Sequence, residues 1–144
     1  MDWIIDDAFY NAESSLEDLT NLKRHVFLIQ EDIVCYNEIM NPTPFVYQIQ
    51  FERIRKLTQD LDTYYLIVNV AHAKKPTAEH RATIKGELKS LFPKLKEICV
   101  ISGKNYWTNT LASFILRGVG YDSLNLCGDF ESAMNIINKV KTLK

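Results

Sequence analysis

The chain has 144 residues, of which 47% are hydrophobic and 24% charged, with a formal net charge of −1. Those values suit one soluble globular domain and exclude a disordered, fibrous or disulfide-dense chain. Its apolar runs reach about eight residues, too short to cross a bilayer, and a sequence pI near 6.3 argues against nucleic acid as a partner.

The acidic opening Met1-Asp2-Trp3-Ile4-Ile5-Asp6-Asp7 lacks the basic region of a signal peptide, so a cytoplasmic chain without membrane insertion is expected. The three cysteines, Cys35, Cys99 and Cys127, are odd in number and widely spaced. They read as buried free thiols in a reducing compartment. Charge is uneven along the chain. Residues 1–62 carry five Lys/Arg and twelve Asp/Glu, whereas residues 63–144 carry twelve and six. Such asymmetry fits complementary halves packing together, protomers pairing head to tail as a homodimer, or an anionic partner.

In chain order, Ser14 or Ser15 can cap a short helix bearing Leu16, Leu19 and Leu22, and Trp3-Ile4-Ile5 can form a strand. Residues 25–30 and 33–37 are β-rich runs separated by Glu31-Asp32, which predicts a hairpin, although neither residue is the glycine a tight turn favours. Thr43-Pro44 predicts an N-cap and first helical residue. The helix then runs to about Asp60, with Phe45, Ile49, Ile54, Leu57 and Leu61 as its apolar face.

Residues 64–71 (Tyr-Tyr-Leu-Ile-Val-Asn-Val-Ala) are a dense apolar strand. Thr77 caps the following helix, Glu79 suits its dipole, Ile84, Leu88 and Leu91 face inward, and Pro93 ends it. Residues 98–102 form the next strand and 106–117 a third helix ending near Gly118 and Gly120. A weaker strand over 121–127 leads to Asp129, which caps a last helix with Ala133, Ile136, Ile137 and Val140 inside. The order is β-hairpin, α, β, α, β, α, β, α. This predicts an α/β domain over residues 1–144, with a central, mostly parallel sheet, about four helices, and an uncertain extension at 1–23.

Chemistry-bearing motifs are few. His72, Glu79 and His80 flank one loop, but the one-turn spacing of helical zinc ligands is absent. Gly118-Val119-Gly120 ends a helix rather than opening one, so it is not a phosphate loop. No metal or cofactor is expected. If the strands are parallel, Asn69, His72, Thr77, Ser102, Lys104 and Asn105 share the carboxyl edge of the sheet and can rim a ligand or partner surface. Arg81, Lys85 and Lys89 repeat along one helix face, as a basic docking stripe or a solvated face. Tyr106-Trp107 can anchor an interface or cover the core edge.

Three local features accompany the element order: Leu66-Ile67-Val68-Asn69-Val70 running into a loop and a capped helix, Ala112-Ser113-Phe114-Ile115-Leu116-Arg117, and Gly128-Asp129-Phe130-Glu131-Ser132-Ala133. Over residues 25–141 the chain resembles the STAS domain of bacterial anti-anti-sigma factors and sulfate-transporter tails. The resemblance implies a non-enzymatic regulatory module that meets a protein partner through the second helix, its basic stripe and the loop before it. In anti-anti-sigma factors that loop carries Asp-Ser-Ser-Gly-Leu, whose serine is phosphorylated. Here it reads Thr77-Ala78-Glu79-His80, so the serine is missing and Thr77 is the only nearby hydroxyl, as N-cap or phosphoacceptor. Two other classes stay open: a small-molecule or lipid carrier of the same fold, and a hydrolase using the His72/His80 loop.

Overall fold

A computed structural model describes residues 1–103 and 123–143. The third helix expected at 106–117, its flanking glycines, Lys104, Asn105 and Tyr106-Trp107 lie outside the described residues.

The elements are α1 (Leu16–Lys23), β1 (Val26–Ile29), β2 (Ile33–Asn37), α2 (Pro44–Leu57), β3 (Tyr64–Asn69), α3 (Ala78–Leu91), β4 (Leu95–Ile101), β5 (Leu124–Cys127) and α4 (Phe130–Thr142). The strands form one sheet in the order β1-β2-β3-β4-β5. β1 runs antiparallel to β2, and β2, β3, β4 and β5 are mutually parallel. The architecture is α/β with a mixed five-stranded sheet. Among the described residues, no helix is long and apolar enough to cross a membrane.

Strand periodicity sorts the core into two layers. Val34, Tyr36, Leu66, Ile98 and Val100 face α2 and α3, where they meet Tyr47, Phe51, Ile54, Leu88 and Leu91. Their neighbours Ile33, Cys35, Ile67, Cys99 and Ile101 face α4, against Ala133 and Ile137. Burial on both faces explains why β3 reads as a continuous apolar run rather than an alternating one. All three cysteines are buried and free. Burial pushes the Cys35 thiol up to about 12, and a hydrogen bond with Cys127 together with burial pushes Cys99 up.

Helix starts follow the expected caps. Ser15, Thr43, Thr77 and Asp129 accept backbone N–H bonds from Asp18, Val46, His80 and Ser132. Each satisfies a donor that the first helical turn leaves unpaired. Other boundaries moved. α2 stops at Leu57, where the Thr58 hydroxyl turns back to Ile54 O at 2.9 Å and Leu61 N closes a turn on Thr58 O. β4 begins at Leu95 because Leu95 pairs with Tyr64.

Two corrections concern the first third of the chain. Trp3-Ile4-Ile5 forms no strand. The hairpin turn spans Gln30, Glu31 and Asp32 between the paired Ile29 and Ile33, one residue longer than the expected Glu31-Asp32 break, with Gln30 and Glu31 at positive φ (48° and 65°). A left-handed conformation at two non-glycine residues is a local strain that the β1–β2 ladder must offset. The α2 face is also wider than its aliphatic pattern. Val46, Tyr47, Gln50, Phe51 and Ile54 are buried, while Phe45 and Ile49 pack against the cluster around Leu22 of α1 and Tyr10. Gln50 Nε2 donates to Leu22 O at 2.8 Å and so ties the two helices together.

Candidate functional site

Four parallel strands bring their carboxyl ends to one edge, the usual binding edge of such sheets. Here a cleft of about 330 Å³ opens among the ends of β3, β4 and β5 and the start of α4. Asn69, Ala71 and His72 follow β3 into it, Ile101 and Gly103 follow β4, and Gly128 to Glu131 close it from α4. Met1 and Trp3 form a further wall, with the Trp3 ring edge-on to Phe130 at 5.9 Å between centroids. The two loops meet closely. Gly103 sits at φ 58°, and a Cβ there would lie 3.1 Å from that of Ala71, so only glycine fits without displacement.

The expected rim residues divide in this setting. Asn69 and His72 line the cleft. Asn69 is buried and its amide is already used: Nδ2 donates to Asn37 Oδ1 at 3.0 Å, and Oδ1 accepts from Ala71 N at 3.2 Å. Asn69 therefore shapes the loop, and His72 is the exposed imidazole. Ser102 is buried, with its N–H on Cys127 O at 3.2 Å. Thr77 is exposed and caps α3 through His80 N at 3.2 Å; it does not line the cleft. On α3, Lys89 is exposed, whereas Arg81 and Lys85 are half-buried. Lys104 and Asn105 are outside the described residues.

His72 and His80 occupy different surroundings. His72 reaches the cleft, while His80 packs edge-on against Tyr47 of α2 at 5.9 Å, its Nδ1 buried with no hydrogen-bond partner among the described residues. Among the described residues, no group of three or more His, Cys, Asp or Glu side chains is placed to hold a metal ion.

Sequence reasoning missed two polar clusters beneath this edge. The first starts at Asn37, whose Nδ2 donates to Ile4 O at 2.7 Å and approaches His25 Nδ1 at 3.4 Å. His25 Nε2 lies 2.8 Å from Asp6 Oδ2, which also accepts from the Tyr10 hydroxyl at 2.7 Å. A proton on Nε2 facing Asp6 leaves Nδ1 as the acceptor for Asn37. Burial pushes the Asp6 carboxyl up, but hydrogen bonds from Tyr10, the Ala8 N–H and His25 outweigh it and hold the group below its ordinary value.

The second cluster surrounds Glu38, which is buried immediately after β2. Its carboxylate accepts from Ile39 N at 3.1 Å and meets the Tyr36 hydroxyl at 3.3 Å, and no cation pairs with it among the described residues. Burial raises it to about 8, against smaller downward effects of those two donors. The nearby Tyr36 and Tyr47 hydroxyls are pushed up, by burial first and the Glu38 charge second. The signal for this cluster was a charged residue continuing an apolar strand, at Asn37-Glu38-Ile39. One-dimensional patterning reads that as a strand end.

No protein-family model, no curated protein and no solved structure matches the chain.

Proposed function

We propose that this chain is a non-enzymatic regulatory module of STAS-like type that recognises a protein partner through the carboxyl edge of its parallel strands and the adjoining start of α3. The observation that carries the reading is the cleft of about 330 Å³ where the β3 and β4 loops converge on α4. Around it the polar side chains serve the fold. Asn69 braces its own loop, and Asp129 caps α4. What the edge offers a partner is shape and the exposed His72, with the basic stripe of α3 running away from it to Lys89 in the last turn. That combination supports recognition more than bond-making chemistry, for which a nucleophile and a base within hydrogen-bond reach are required.

The test is affinity capture with the wild-type chain and with a His72→Ala/Arg81→Ala/Lys89→Ala variant of matched stability. The reading expects proteins retained by the wild type to be lost by the variant. An unchanged set of captured proteins would sink it.

The same cleft favours one second reading, a small ligand held at the strand ends, since its volume sits at the lower end of ordinary ligand sites of about 300–1,000 Å³. Native mass spectrometry tests this directly. A noncovalent mass present on the folded chain and absent after denaturation supports a carrier; a bare folded chain removes that reading.

A further inference from the structure

Residues 1–16 are held to the body largely through their backbone. Backbone carbonyls and the Asp6 side chain of this segment turn toward the body. Ile4 O accepts from Asn37 at 2.7 Å, Asp7 O from Asn41 at 2.9 Å, and Asp6 O from Met40 N at 2.8 Å. The Asp6 side chain takes His25 and Tyr10. Trp3 and Tyr10 pack inward, but most of the large apolar side chains turn the other way. Ile4, Ile5, Phe9 and Leu16 are 70%, 55%, 75% and 81% exposed. Of the seven large apolar side chains exposed among the described residues, five lie in this segment: these four and Met1.

That polarity is opposite to what solvent alone would select. Burying His25, Asn37 and Asn41 is unfavourable unless each is hydrogen-bonded, and here those bonds go largely to the segment. A stretch serving only to cover the sheet would turn Ile4, Ile5 and Phe9 inward. A stretch with no role would not be tied down at four points, since untethered chain ends fray. An apolar strip held outward on a fixed backbone is a presented surface.

Its surroundings give the chemistry of the occupant. Residues 1–22 contain six carboxylates and no Lys or Arg. Asp6 is turned inward, while Asp2, Asp7 and Glu13 stand exposed beside the apolar side chains. Among the described residues Asp2, Asp7 and Glu13 form no ion pair, and apolar side chains set among such carboxylates complement a segment with one apolar face and Lys/Arg around it. The same charge repels an anionic membrane surface. We propose that residues 1–16 are a docking strip for a basic, apolar-faced segment of a partner protein. The strip borders the strand-end cleft at Met1 and Trp3, but the exposed Ile4, Ile5, Phe9 and Leu16 that define it lie outside the cleft lining.

The experiment titrates the full chain with a Lys/Leu amphipathic peptide about five turns long, with its Glu/Leu counterpart, and with phosphatidylcholine vesicles with and without phosphatidylserine. Sedimentation is measured alongside. The Lys/Leu peptide is expected to bind. Its affinity should fall about tenfold or more for Ile4→Ser/Ile5→Ser/Phe9→Ser, with the unfolding midpoint unchanged because these side chains are exposed. Asp2→Asn/Asp7→Asn/Glu13→Gln should weaken it and flatten its salt dependence. Asp6→Ala, which releases the segment but keeps every apolar side chain, should weaken it as well. Four results would overturn the proposal: undiminished binding by the serine variant, equal binding of the Glu/Leu peptide, vesicle binding abolished by the serine variant, which assigns the strip to a membrane, or self-association abolished by it, which assigns the strip to a second copy. The His72/Arg81/Lys89 variant keeps the strip intact, so this experiment can fail without the strand-end reading failing.

Discussion

The sheet and the segment before α1 are held by opposite means. In β2, β3 and β4 the side chains do the holding. Leu66 and Ile67 are fully buried and point to opposite layers, and the backbone pairs with its neighbours on both sides. In residues 1–10 the backbone carbonyls and Asp6 do much of the holding, through Asn37, Asn41, His25 and Met40, while Ile4, Ile5 and Phe9 face out and Trp3 and Tyr10 pack inward. Stability in the first region follows apolar burial. In the second it follows a few hydrogen bonds, each worth about 1 kcal/mol net. Apolar content therefore says nothing about stability until the structure shows which way a side chain points.

The sharpest contrast lies between the two carboxyls. Asp6 is paired and held low, whereas Glu38 is buried without a cation and held high. They oppose one another in pH dependence. Between its unfolded value of 4.5 and its folded value of about 8, Glu38 carries a proton only in the folded state, so stability falls as pH rises through this window. Full release costs about 4 kcal/mol between about pH 5 and pH 9. Asp6 acts in the reverse sense: its contribution is present above its unfolded value near 3.8 and is lost as pH falls through the lowered folded value. The measurement is urea unfolding at the two pH values with wild type and Glu38→Gln. The variant should lose most of the alkaline fall, and equal falls in both proteins would show that Glu38 is ionised in the folded chain at neutral pH.

Truncation breaks the contrast at the level of side chains. Leu66→Ala should destabilise by about 3 kcal/mol through lost transfer energy and a cavity. Ile4→Ala and Phe9→Ala should each stay within about 0.5 kcal/mol, as exposed positions do. Denaturant midpoints decide between them, and a large loss at Phe9 would mean that its ring packs inward in solution.

The smallest effect concerns a place where the sheet region itself is strained. Gln30 and Glu31 both hold positive φ, so Glu31→Gly should stabilise the hairpin by roughly 0.5–1 kcal/mol. A fall in the thermal midpoint would show that the glycine's added freedom in the unfolded chain outweighs the relieved strain.

Local chemistry made much of this legible in the sequence. Thr43-Pro44, Thr77 and Asp129 cap the helices they were expected to cap, because capping needs only a short polar side chain and the next few N–H groups. Residues 64–69 form a buried strand, because only a two-faced parallel strand carries so unbroken an apolar run. The carboxyl-edge grouping of Asn69 and His72 also followed, since parallel strands share an edge whatever their loops contain.

Tertiary contact decided the rest. The pairing of Asp6 with His25 joins residues 19 apart, and no periodicity links them. Glu38 lies one residue beyond a strand, and only the packing of Tyr36 and Tyr47 around it makes it a buried acid. The outward turn of Ile4, Ile5 and Phe9 was hidden for the same reason. A hydrophobic residue is expected inside, and the bonds that reverse this segment come from β2 and the turn after it. Helix caps and strand pattern are set by interactions within a few residues and so are written in the sequence. Which polar groups are buried, and which apolar ones are left in water, is set by distant partners and exists only once the chain has folded.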